Sequence, residues 1–124
     1  MAGGVDAAPR VIRLRKPRAR LHHVWMRLLA PFHHLAKADE DFAAALLDRR
    51  AELAAEGRES GLLSTEGRRL MAERTGASES SVNVHIHKLR KAGVLRGGDF
   101  NPLFVPEAGE GGLSLTFKIE LDGD

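Results

Sequence analysis

Between Glu79 and Ala92 the chain gathers the side chains best suited to touching a nucleic acid. Ser80, Ser81, Asn83, His87, Lys88, Arg90 and Lys91 supply hydroxyls, an amide, an imidazole and cations. These are the groups that reach base edges and phosphates in a DNA groove. They alternate with Val82, Ile86 and Leu89, which fall at i, i+4 and i+7 and form one buried helical stripe. The polar set is therefore on the opposite face, and duplex DNA is the ligand it predicts.

Other chemistries find little footing. His22–His23 and His33–His34 are adjacent pairs, and His85 and His87 are two apart. None has the i, i+4 spacing that converges on zinc, so all six are expected to be polar surface residues. The chain has no cysteine, which excludes disulfides, thiolate chemistry and Cys-ligated metals. Asp39, Glu40 and Asp41 stand at a helix start, where capping and the helix dipole already explain them. Gly97–Gly98 and Gly111–Gly112 lack the following helix and lysine of a phosphate cradle, and no serine sits in a nucleophile elbow. No catalysis, metal or cofactor is expected.

The elements that must position the polar face follow from local signals. The series Ala72-x3-Gly76-x5-Val82 continues as Ile86, Leu89, Gly93, Val94 and Leu95. Ala72 lets two helices cross closely, Gly76 permits a left-handed turn, and Ser78 caps the second helix. Ser64 caps the first, which runs through Arg74 and contains Arg68, Arg69, Leu70 and Met71. Gly93 closes the second helix, and Val94–Leu95 begin an extended segment.

Upstream, Asp39 is expected to cap a helix with Phe42, Ala45, Leu46 and Leu53 on one face and Gly57 as its stop. Arg49 and Arg50 mark its solvent edge. Leu21 to Leu35 repeats apolar residues at helical spacing, but Pro31 interrupts it, giving a short helix that ends near Leu29. Downstream, Gly97-Gly98-Asp99 marks a turn, Asn101 to Pro106 reads as extended, and Glu107 to Gly112 as a loop. Leu113, Leu115, Phe117, Ile119 and Leu121 alternate with polar residues as a half-buried strand does. Arg10 to Arg15 alternates in the same way, up to Pro17.

At 124 residues, 43% hydrophobic and 29% charged, one globular domain with tails is expected. Residues 1–20 form a flexible basic arm, 21–38 a short helix and connector, 39–121 the main domain and 122–124 an acidic tail. The net charge of +2 conceals a polarised chain. Arg10, Arg13, Arg15, Lys16, Arg18 and Arg20 crowd an acid-free stretch, whereas Glu107, Glu110, Glu120, Asp122 and Asp124 face only Lys118. No run is apolar enough for a membrane span or a signal peptide, which predicts a cytoplasmic protein without a membrane partner.

The residues from Arg69 to Ser78 and from Val82 to Leu95 resemble the winged helix-turn-helix domains of bacterial and phage transcription regulators. The resemblance spans Asp39 to Leu121. It implies an α+β fold, a three-helix core with a small antiparallel sheet or wing, and sequence-specific binding of double-stranded DNA. By the same resemblance Ser80, Ser81, Asn83, Val84 and His87 face the major groove. Arg68, Arg69, Lys88, Arg90 and Lys91 meet phosphates, joined by Arg13, Arg15, Lys16, Arg18 and Arg20 from the arm. Lys88 to Val94 followed by Asn101-Pro102 also resembles small phage-encoded proteins with a KLRKxGV segment.

Two further expectations concern partners. The Leu21 to Leu35 stripe offers a two-fold contact for a homodimer. The wing loop at 97–112, poor in cations, suits a protein partner instead of a phosphate backbone. A protein-contact module in a larger phage or polymerase-associated assembly is the alternative that this second feature favours.

Overall fold

The computed structural model describes residues 10–58, 60–109, 112–113 and 115–123. Among them the chain is α+β, with five α-helices and two short antiparallel hairpins. α1 (Leu21–Leu28) and α2 (Ala30–His33) divide one apolar stripe at Pro31, which lies in the first turn of α2, where a missing N–H leaves no helix bond unmade. Trp25, Met26 and Leu29 bury themselves against α3 (Lys37–Ala55). The stripe expected to offer a two-fold contact thus serves the chain's own core, and of its large residues Leu28 and Phe32 stay exposed.

α3 is the central helix. Phe42, Ala43, Ala44, Leu46, Leu47 and Leu53 are buried, and α1, α4 and α5 all pack on it. A helix covered from several sides has no single apolar face, and its two buried alanines let neighbours approach closely. It begins earlier than expected. Ala36 occupies the N-cap without a side-chain bond, and Asp39 lies inside the first turn, because its carboxylate turns away to a histidine of α5. At the other end Gly57 takes φ 73 and Arg58 N–H reaches back to Leu53 O at 2.8 Å, closing the helix.

α4 (Thr65–Thr75) and α5 (Glu79–Lys91) follow as the spacing predicts. Ser64 Oγ accepts from Gly67 N–H at 3.0 Å and Ser78 Oγ from Ser81 N–H at 3.1 Å. Each cap contributes about 1 kcal/mol. Gly76 turns the chain between the helices at φ 72. Val82, Ile86 and Leu89 enter the same core as Met71, Leu62 and Phe42.

After α5, β1 (Leu95–Arg96) and β2 (Asp99–Phe100) pair antiparallel across Gly97–Gly98. The next segment corrects the expectation of an extended run to Pro106. Asn101 Oδ1 accepts from Leu103 N–H at 3.1 Å and caps a 3-10 turn over Pro102–Phe104. That turn drives Phe104 into the core, where its carbonyl accepts the Trp25 indole N–H at 2.9 Å. β3 (Ala108–Gly109) and β4 (Gly112–Leu113) then form a second small hairpin where a loop was expected.

Two expected strands do not form. Arg10 to Arg15 and residues 115–121 have no ladder partner among the described residues, and Ile12, Leu14, Ile119 and Leu121 stand in solvent. Alternation supplies a strand's two faces but not the neighbouring edge that satisfies its backbone. The leader at 1–9, and Glu110, Gly111, Ser114 and Asp124, lie outside the described residues. Among those described, no helix is long and apolar enough to cross a membrane.

One glycine is required by contact alone. A Cβ on Gly67 would sit 2.4 Å from Leu62 O and 2.6 Å from Gly61 O, because α4 begins pressed against the turn before it. Gly76 instead has open space and only the left-handed backbone to satisfy. Gly67→Ala is therefore expected to destabilise by about 1–3 kcal/mol or more through overpacking. Gly76→Ala should cost about 1–2 kcal/mol, the left-handed penalty alone. Urea denaturation of the two variants checks the order, and the reverse order would contradict it.

Candidate nucleic-acid interface

α5 is held in one rotation by contacts on both flanks. On one, His85 Nδ1 lies 2.7 Å from Asp39 Oδ1 and its ring stacks on Phe42, centroids 4.8 Å apart. Lys88 Nζ is 3.9 Å from the other Asp39 oxygen. On the opposite flank Asn83 Oδ1 accepts from Arg68 Nη1 at 3.0 Å, and Arg90 Nη2 donates to Gly97 O at 3.2 Å. What remains outward is Ser80, Val84, His87 and Lys91, at i, i+4, i+7 and i+11, all exposed.

The expected base contacts divide accordingly. Ser80, Val84 and His87 share the outward face, although the Ser80 hydroxyl also lies 3.1 Å from Ser78 Oγ. Ser81 is half-buried with its hydroxyl on Ser78 Oγ at 3.0 Å, and Asn83 leans toward α4. The expected phosphate contacts are also unequal. Arg68 already uses its Nε on Leu63 O at 2.9 Å besides its bond to Asn83. Arg69 is exposed 3.7 Å from Glu79, and Lys91 has no ion-pair partner among the described residues. Arg13, Arg15 and Lys16 lie exposed outside regular structure, and Arg18 and Arg20 project from a 3-10 turn that leads into α1.

Beside Lys88 and Lys91 the surface dips into an open depression of about 300 Å³. His34 and Ala36 form its opposite wall, next to the uncapped start of α3. The depression adjoins the outward face of α5 on the side of its C-terminal half.

The expectation of six surface histidines is corrected for four of them, including His23, which is half-buried with its Nδ1 out of solvent. His85 holds Asp39, His22 Nδ1 lies 2.5 Å from Asp48 Oδ1, and His33 is buried. His33 Nε2 donates to Met26 O at 2.8 Å, while its Nδ1 accepts from Leu35 N–H at 2.9 Å. Glu40, buried as well, stands 3.6 Å from His33 and 3.3 Å from Arg27. The one available signal was His85's position beside the Val82–Ile86–Leu89 stripe, which puts it on a flank and not on the open face.

The β1–β2 hairpin is short and tied down. Arg50, expected at a solvent edge, instead grips Asp99 with Nε at 2.8 Å and Nη2 at 3.2 Å. Arg96 is the only cation of the hairpin. Arg74 grips Glu52 in a comparable two-pronged bond that joins α4 to α3. The Arg50 guanidinium, aided by Phe100 N–H, holds the Asp99 carboxyl below its ordinary range, and Arg74 does the same for Glu52. No family model, curated protein or solved structure matches this chain.

Both carboxyls have folded pKa values below their unfolded ones, so their contribution is complete above the ordinary carboxylate pKa of about 4. It is lost as pH falls through the folded values. Both pairs are partly exposed, so stability measured by urea denaturation should fall only slightly faster with pH below that ordinary pKa in the wild type than in Asp99→Asn and Glu52→Gln. An acid limb unchanged in both variants would contradict the assignment.

Proposed function

We propose that this protein is a winged helix-turn-helix DNA-binding protein of the transcription-regulator type. α4 and α5 are its helix-turn-helix and the β1–β2 hairpin is its wing. The observation that carries this reading is the outward face of α5. Its flanking polar groups are engaged by the fold, while Ser80, Val84, His87 and Lys91 are presented to solvent together. A hydroxyl, a methyl-bearing side chain, an imidazole and a cation at helical spacing match the donors, acceptors and thymine methyls of a major groove.

Lys88 and Lys91 line the depression beside this face, which suits a phosphate of the strand that borders the groove. Arg69 lies on α4 at the other side. Arg10, Lys16, Arg18 and Arg20 add charge that does not depend on sequence. The wing contributes least. With two residues in each strand and Asp99 held by Arg50, it is too short and too neutral to follow a second groove.

That feature favours a second reading, in which the hairpin and the turn carrying Phe104 serve a protein contact in a larger assembly. The two readings separate experimentally. Selection of bound duplexes from a random DNA library at near-physiological salt should enrich a motif that His87→Ala alters. Lys91→Ala should keep the motif but reduce the salt dependence of binding by about one phosphate. Binding that vanishes with salt and enriches nothing would overturn the groove-reading role and leave the protein-contact reading.

A further inference from the structure

The two unpaired ends of the chain are complementary in sequence. Ile12-Arg13-Leu14-Arg15 near the start and Ile119-Glu120-Leu121-Asp122 near the end share one alternation of apolar and charged residues, with the charges reversed. Neither segment has a backbone partner among the described residues. Ile12 is 91% exposed, Leu14 57%, Ile119 84% and Leu121 88%. Four branched aliphatic side chains lie in water, each on a segment that alternates as a half-buried strand does. Exposed alternating segments of this kind are templates for pairing with another strand.

We infer that Ile12–Arg15 of one copy pairs as a β-strand with Ile119–Asp122 of a second copy, forming a homodimer by reciprocal strand exchange. In a parallel register Ile12 lies beside Ile119 and Leu14 beside Leu121 on one face. Arg13 lies beside Glu120 and Arg15 beside Asp122 on the other. Apolar neighbours and opposite charges both stabilise such cross-strand pairs. The occupant is a second copy because, among the described residues, no ladder joins the two segments within one chain, while the sequence complement is this chain's own. Exchange in both directions satisfies both ends of each copy and closes the assembly as a two-fold dimer.

One local contact favours the arrangement and one weak, exposed pair competes with it. Phe117 stacks on Phe32, centroids 5.6 Å apart, which holds the approach to the acidic strand against α2. Glu120 is 3.4 Å from Lys118, an exposed pair that Arg13 replaces. The pairing does not depend on DNA binding.

The test is the mass of the full chain in solution, by sedimentation equilibrium at low and high salt. The wild type should be a dimer that weakens with salt. Arg13→Glu/Arg15→Glu and Glu120→Arg/Asp122→Arg should each be monomeric, with wild-type helix content because neither segment enters the core. An equimolar mixture of the two should dimerise, since each variant then carries two like-charged segments that match the other's. A monomeric wild type, reversals without effect, or a mixture that stays monomeric would overturn the inference, the last by assigning the pairing to one chain. The absence of native cysteine allows an independent check. A Leu14→Cys chain mixed with a Leu121→Cys chain should form the mixed disulfide on oxidation, and its absence would also overturn the pairing.

Discussion

The buried Asp39 carboxylate is the point on which the rest of the arrangement turns. A charge removed from water is tolerated only when it is paired and hydrogen-bonded. Asp39 meets that requirement with His85 and Lys88, both on α5. The pairing, together with the stacking of His85 on Phe42, fixes how α5 is rotated about its own axis. That rotation decides which side chains face outward. If His85 faced solvent, the helix would turn and His87 and Lys91 would leave the open surface.

The same logic repeats along α3. Glu40 stands by Arg27 and His33, Asp48 by His22, Arg50 by Asp99, and Glu52 by Arg74. Successive turns of one helix thereby reach α1, α2, the hairpin and α4. The aliphatic core supplies most of the burial, but it is non-directional. The charged contacts specify orientation. The exposed members of the series contribute little stability, because solvent screens them, so their role is mainly geometric.

Local features were legible in the sequence. Val82, Ile86 and Leu89, the Ser64 and Ser78 caps, Gly76 and the Gly97–Gly98 turn each depend on residues within a turn or two of each other. Non-local features were not. Asp39 has the composition of a cap and acts instead through a residue 46 positions away. Gly67 reads as an ordinary helix-start residue, and only the approach of the Leu62 carbonyl explains it. Asn101-Pro102 suggests extended chain because proline restricts its neighbour, yet the Asn101 side chain rolls the next residues into a turn. The alternation at both ends was legible as strand pattern, but pairing needs a neighbouring edge, and among the described residues neither segment has one. For the candidate site, the helix and its polar set were legible, but not the separation of outward groups from flank groups. Asn83 and Arg68 are polar in the sequence, and only the fold engages them with each other.

The most direct measurement of the central claim is the set of backbone amide and imidazole NMR shifts as a duplex two helical turns long is added. The orientation of α5 predicts the largest changes at Ser80, Val84, His87 and Lys91, with His85 and Asp39 nearly unmoved. Changes confined to the hairpin and the Pro102–Phe104 turn, or spread evenly over the basic arm alone, would contradict it.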